Sequence, residues 1–559
     1  MVDFDEDKQN LQLAELRQKE EEEFMQSAAT SRGLQYFNLS GVPIETDALG
    51  IIPEPQAREA QAAAFQLVDK RVGVGVLDPD NAKTKAVVET LSSKGYTVTL
   101  FLISRRSLEH AFSHYAEISR VKEMKGGSFD ISSDEIQKML GDLHTVLDIK
   151  KHIESILAAK EGFQTTRIVE VLLAGALGVN ASDLHVEPEE KQVRLRYRLD
   201  GVLNDVLDIS YDVYNYILSR IKLISGLKLN LHTTAQDGRF SIHTNDTEIE
   251  IRTSILPGAY GESIVLRVLN PEAIAVSMEE LGLEKHLQEV LAREITKPNG
   301  MILNTGPTGS GKTTTLYAFL KKVHEPGIKI ITIEDPVEYH LKGIVQTQTN
   351  PDKGYTFSSG LRAALRQDPD IIMVGEIRDE ETAEIAINAA ATGHLVFSTL
   401  HTNDAAGTFP RLLSLGVNPK VISSSVTVAM AQRLARKLCT YCKKESALAG
   451  NDKVIVEKIL LEITVPEYQG LTLKNVFSPV GCKLCNMTGY KGRIGIFEAI
   501  LMDQKIEAAI IQNPSEREIA QAARGQGLLT MSQDGVVKLL GGVTSIEELR
   551  RVIDIDAAV

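Results

Sequence analysis

The sequence predicts an α/β protein built on a nucleotide-binding loop, with two smaller modules ahead of it. Three observations predict this. A glycine-rich loop lies between an apolar run and a helical segment. Apolar strands ending in acids or histidine follow it, and short apolar segments alternate with helical patterns upstream. Parallel strands with polar C-terminal ends are what a doubly wound sheet presents around a ligand crevice.

Residues 1–34 are an acidic tail with four consecutive glutamates, Glu20 to Glu23, readable as a solvated helix or an unstructured segment. Residues 35–147 are expected to form a small α/β domain, with strands at Val72–Pro79 and Tyr96–Ser104 around a helical AKTKAVVETL. The Val-Gly-Val-Gly at 72–75 lacks the third glycine of a dinucleotide fingerprint and reads as a buried strand. Lys122 to Asp134, with Gly126-Gly127 and several serines, reads as a linker.

Residues 148–275 form a second module. Its opening helix, TTRIVEVLLAGALGV, precedes strands at Ser182–Pro188 and Val193–Leu203. In the latter, Arg194, Arg196 and Arg198 alternate with apolar residues, which puts all three on one sheet face. Further strand-like pieces add Arg239, Arg252 and Arg267. Two readings stand: a face neutralised by neighbouring acids, or a cationic face offered to a phosphate.

Residues 276–559 carry the chemistry. Gly306-Pro307-Thr308-Gly309-Ser310-Gly311-Lys312-Thr313-Thr314 matches G-x-x-x-x-G-K-[ST], with an apolar run, Met301 to Leu303, entering and LYAFLKK leaving. In such a loop successive backbone N–H groups and a helix N-terminus converge on the β- and γ-phosphates of ATP. Lys312 reaches the phosphate oxygens, and the Thr313 hydroxyl ligates Mg²⁺. The strand at Ile328–Ile333 ends at Glu334-Asp335, and DPDIIMVGEIRD ends at Glu376. His394 and His401 bracket a third strand, where they could sense the γ-phosphate or link strands. Phosphoryl transfer needs positioning and charge more than covalent chemistry. One of Glu334 and Glu376 would order Mg²⁺ and the other the attacking water, with Glu376 expected at the water. An arginine arriving from the second module, across a domain or subunit boundary, would neutralise the transition state.

Cys439-x₂-Cys442 and Cys482-x₂-Cys485 use all four cysteines of the chain at a spacing a tetrahedral Zn²⁺ accepts. The module spans about 436–490, with a helical insert near Asp452 to Ile463, and its zinc is expected to be structural.

Bulk composition bounds the partners. The formal charge, 61 − 75 = −14, argues against a ligand held through a nucleic-acid backbone. No window approaches 18 uncharged apolar residues, so no membrane span is expected, and the acidic start is unlike a signal peptide. A cytoplasmic location follows as an expectation.

The ordered set SDLHVEP, RYRLDG, QDGR, GPTGSGKTTTLYA, TIEDPVEY, DPDIIMVGEIRD, TGHLVFSTLHTNDA and GYKGRIGIFE, over roughly residues 160–500, resembles the type II secretion and type IV pilus assembly ATPases. SRGLQYFNLSGVPIETDALGIIPEPQA is similar to that family's N-terminal domain. The resemblance implies a partner-binding N-terminal domain, a PAS-like α+β second domain with the arginine face and a RecA-like motor domain, assembled as a homo-hexamer. It implies an aspartate box at Glu334 and Asp335, a catalytic glutamate at Glu376 and a histidine box at His394 and His401. Arginine fingers fall among Arg198, Arg239, Arg252 and Arg267. It also implies an inner-membrane platform protein and an adaptor as partners, with peripheral association at that membrane. The tetracysteine module and the first domain place the resemblance on the extension or export side rather than retraction. Some members carry an upstream copy with cyclic-di-GMP-binding repeats; no such repeat is visible, and regulation by that nucleotide is not expected. A nucleic-acid translocase and an ATP-binding scaffold without turnover are the alternative readings.

Overall fold

The computed structural model describes residues 21–22, 24–39, 44, 46–68, 70–115, 138–158, 164–244, 248–271, 276–512 and 515–556. Most of the acidic tail and all of the 122–134 linker expected from sequence lie outside the described residues. The chain divides into two compact units, Met1–Asp130 with Ile221–Gln236, and Ile131–Arg220 with Asp237–Val559.

The first unit holds a four-stranded sheet ordered β1-β4-β3-β2. Its strands are β1 (Gln35–Tyr36), β2 (Ala62–Val68), β3 (Arg71–Val76) and β4 (Thr97–Leu102). The helix Ala82–Ser93, N-capped by the Asn81 side chain, joins the parallel pair β3 and β4. Val-Gly-Val-Gly lies in β3, as its apolar run predicts. A Cβ on Gly75 would sit 2.8 Å from the Ile103 side chain, so close packing explains that glycine. Phe37 stacks on Phe65, and Phe101 packs edge-on against both.

In the second unit, β5 (Asp183–Pro188), β6 (Val193–Leu199), β7 (Val202–Ile209), β8 (Gln236–His243), β9 (Glu248–Gly258) and β10 (Gly261–Leu269) order as β7-β6-β5-β10-β9-β8. The helix Gln164–Gly178 precedes β5, where the apolar helical spacing predicts one. Along β6 burial alternates residue by residue, with Val193, Leu195 and Tyr197 inward and the three arginines on the other face. Arg194 pairs with Glu189 and Asp208, and Arg196 with Glu187. The acid-neutralised reading thus holds for those two.

The remaining strands are β11 (Gly300–Thr305), β12 (Ile330–Glu334), β13 (Val345–Gln348), β14 (Ile371–Val374), β15 (Leu395–Leu400), β16 (Val426–Leu438), β17 (Lys444–Ser446), β18 (Val476–Ser478) and β19 (Tyr490–Leu501). Seven of them form a sheet ordered β13-β12-β14-β15-β11-β16-β19, parallel apart from β19. Alternate residues serve opposite faces: Met301, Leu303 and Val374 enter one core, Ile302 and Met373 the other. A sheet covered on both sides explains why these strands read as unbroken apolar runs. Between the long antiparallel partners β16 and β19 the chain inserts the small β17–β18 sheet and the helix Gly450–Leu461, close to the predicted insert.

Candidate nucleotide site

At the C-terminal edge of this sheet lies a cavity of about 910 Å³, lined by residues of the phosphate loop, of β5, β6 and β10, and of the segments after β12, β14 and β15. The loop leaves β11 at Thr305 and enters the helix Lys312–Val323 through Gly311, which caps it with φ 89°. A Cβ on Gly311 would lie 2.8 Å from Gln432 Nε2, and one on Gly306 would lie 2.6 Å from the Gln432 carbonyl oxygen. Two of the motif's glycines are therefore required by the strand behind them as well as by backbone angle. Lys312 donates to the carbonyls of Gly306 (2.7 Å) and Pro307 (3.2 Å), so its ammonium is held within the loop. Burial pulls its pKa below the ordinary lysine value, an effect opposed by the nearby Glu376 carboxylate. Thr308 to Thr314 all line the cavity, Thr313 among them in the first helical turn.

The two candidate carboxylates sit in different environments. Glu334, at the end of β12, is 2% exposed and accepts hydrogen bonds from Tyr317, Thr332 and Gln346. Burial raises its pKa against those three donors. Glu376, two residues beyond β14, pairs with Arg378 and with His401 Nε2 at 3.1 Å. Among the described residues its carboxylate pairs only with these two groups, both of which face the cavity. Asp335 is exposed and lines the cavity beside Glu334.

The histidines separate. His401 follows β15 at the cavity edge, whereas His394 precedes the same strand and contacts the Ala389 carbonyl at 3.1 Å. A six-residue strand spans roughly 20 Å, so His394 belongs to the opposite edge of the sheet. The bracketing pattern could not distinguish the two ends.

Of the four candidate fingers, Arg198 and Arg267 line the cavity, both paired to Asp183 at 3.3 and 3.2 Å. They belong to the same chain as the loop. Arg252 donates to the Val337 carbonyl at 2.6 Å and pairs with Glu338, holding the segment after Asp335. Arg239 is exposed on β8 and does not line the cavity among the described residues.

Residues not singled out from sequence also enter the site. His185, between Asp183 and Glu187 on β5, lines the cavity with its Nε2 buried and unbonded. Burial lowers its pKa, opposed by Glu187 and Asp183. Gln432 and Arg433 of β16 underlie the phosphate loop. Their only sequence signal was a polar pair within an apolar strand.

The four cysteines converge, with all Sγ atoms within 4.8 Å of one another. Cys439–Cys482, Cys442–Cys485 and Cys482–Cys485 lie at 3.9, 3.8 and 3.7 Å. A tetrahedral ion with Zn–S bonds of about 2.3 Å requires S···S edges of roughly 3.8 Å, so the cluster fits zinc. Backbone N–H groups of Gly481, Cys482 and Gly489 donate to the sulfurs of Cys442 and Cys485, as thiolates favour.

Residues 158–551 match the family described as Type II/IV secretion system protein, and residues 32–121 match the MshEN domain. Type II secretion system protein E of Pectobacterium carotovorum is 41% identical over 431 residues, covering 76% of this chain and 84% of that protein. Type IV pilus assembly ATPase PilB of Pseudomonas aeruginosa is 38% identical over 526 residues, covering 94% and 89%. The solved ATPase DotB of Legionella pneumophila has the same fold, with TM-score 0.50 at 21% identity, over 70% of this chain and 96% of that one.

Proposed function

The chain belongs to the type II/IV secretion system protein family, and from that premise we propose that it is a hexameric, Mg²⁺-dependent ATPase driving pilus extension or pseudopilus assembly. The observation that carries this is the single cavity into which Lys312, Glu376, His401, Arg198 and Arg267 all open. In this reading the N–H groups of the 306–314 loop hold the β- and γ-phosphates, and Lys312 moves from its loop carbonyls onto them. The Thr313 hydroxyl would hold Mg²⁺, which would supply charge neutralisation for the phosphates. Glu334 is buried and already accepts from three protein donors, which leaves the more open Glu376 to orient the attacking water. His401 reports the γ-phosphate to Glu376. Arg198 and Arg267 exchange Asp183 for the phosphates when the β5–β10 module closes, which links hydrolysis to domain motion. Zn²⁺ on the four cysteines is structural. The motion passes to an inner-membrane platform protein and an adaptor, with the chain held peripherally at the cytoplasmic face.

Phosphate release by the purified full chain, in Mg²⁺ and in chelator, tests the reading together with native mass measurement. Magnesium-dependent release from a six-chain species is expected. A non-hydrolysing chain, or release that rises steeply with added DNA and collapses with salt, would replace it with a scaffold or a nucleic-acid translocase.

A further inference from the structure

The strand behind the phosphate loop carries two adjacent polar residues that touch both that loop and the segment following β15. Gln432 is 1% exposed, and the strand ahead of it, Val428 to Ala431, is wholly apolar. A buried amide of this kind costs free energy unless its groups are bonded. Its Oε1 accepts from Asn304 Nδ2 and from Thr315 Oγ1, both at 2.8 Å. Those donors belong to the strand entering the phosphate loop and the helix leaving it. The amide nitrogen and main-chain oxygen of Gln432 lie against Gly311 and Gly306, the two ends of the loop.

Arg433 also touches the loop, with Nη1 3.1 Å from where a Cβ on Gly306 would sit, and it reaches on to a second segment. Its Nη2 donates to the Asn403 carbonyl at 2.7 Å, and its Nη1 to the Gln432 carbonyl at 3.1 Å. Asn403 lies two residues beyond His401, in a segment also fixed by Thr402 N–H donating to Thr305 Oγ1 and Ala405 N–H donating to Glu498. Burial lowers the guanidinium pKa, with Glu498 and Asp404 opposing that shift, so the charge is retained beside two acids.

We propose that Gln432 and Arg433 are positioning residues with separate tasks: Gln432 holds the phosphate loop open to nucleotide, and Arg433 holds the His401 segment against Glu376. The proposal rests on the ATPase reading of this site. A loop shaped in advance lowers the ordering cost of binding, so Gln432 acts on affinity. A segment that only reaches the γ-phosphate in the reacting complex acts on turnover, so Arg433 acts on kcat.

Steady-state hydrolysis and nucleotide-induced thermal shifts of the full chain separate the two tasks. Gln432→Leu is expected to raise KM for MgATP about tenfold and shrink the ATPγS-induced shift, with kcat within about threefold of wild type. Adding Thr315→Val to it should cost nothing further in KM, since both changes remove one tie. Thr315→Val alone should give a smaller rise in KM and serves if the leucine variant fails to fold. Arg433→Met should lower kcat about tenfold or more at unchanged KM. Variants that change KM and kcat together, or only the melting temperature without nucleotide, would overturn the assignment. A wild-type chain that binds no ATPγS would instead remove the ATPase reading on which it stands.

Discussion

Replacing Gly309 and Gly311 separately by alanine should give different phenotypes, although both occupy the same motif. Both have left-handed backbones, φ 78° and 89°, which cost an alanine about 1–2 kcal/mol. At Gly309 nothing lies within 4 Å of the added methyl. At Gly311 the methyl would meet Gln432 Nε2 at 2.8 Å and Leu434 Cδ1 at 3.2 Å, inside a packed layer. Overpacking of that kind adds about 1–3 kcal/mol. Gly311→Ala should thus lose about 2–5 kcal/mol against about 1–2 for Gly309→Ala. At roughly 2–4 °C per kcal/mol, thermal melting without nucleotide resolves the difference. Binding of ATPγS reverses the order of interest. Gly309 lines the cavity proposed to hold the phosphates, and its added methyl would meet no protein atom, so this nearly stable variant should bind at least about tenfold more weakly. Equal melting losses, or wild-type affinity in Gly309→Ala, would refute the placement of the phosphates.

Three further outcomes are expected. Tyr317→Phe removes one of three donors to the buried Glu334, and urea unfolding should register a loss of about 1.5–3 kcal/mol. The Glu516 carboxyl is raised to about 7 by its hydrogen bond to Asp404, then by burial, so the stability it contributes is complete below its ordinary value of 4.5 and is lost as pH rises through about 7. Melting between pH 6 and 8 should accordingly fall less in Glu516→Gln than in wild type. Removing zinc by chelation, or by Cys482→Ser, should lower the melting temperature of the 276–559 segment, and metal analysis of untreated protein should return one zinc per chain.

Much of the motor is legible in the sequence, because its signals are local. A parallel sheet covered on both faces forces unbroken apolar runs, and β11, β12, β14 and β15 all appear where such runs stand. The phosphate loop and the cysteine pairs were legible for the same reason: each packs its chemistry into a few consecutive residues. Features decided by distant partners were hidden. Period-two spacing puts Arg194, Arg196 and Arg198 on one face, yet only register with β5 and β7 decides that all three meet acids and that Arg198 alone of them does so at the cavity wall. His394 and His401 looked equivalent because a strand's direction, which sends one to each edge of the sheet, is a tertiary property. Gln432 gave almost no signal. Its role depends on contacts with residues more than a hundred positions away.

The most direct measurement of the central claim compares nucleotide retention with phosphate release in wild type, Lys312→Ala and Glu376→Gln. The account expects wild type to bind and hydrolyse MgATP and Glu376→Gln to bind it with hydrolysis reduced about 10²–10⁴-fold. Lys312→Ala should bind it poorly. Hydrolysis by Glu376→Gln at the wild-type rate, or undiminished turnover in Lys312→Ala, would contradict it.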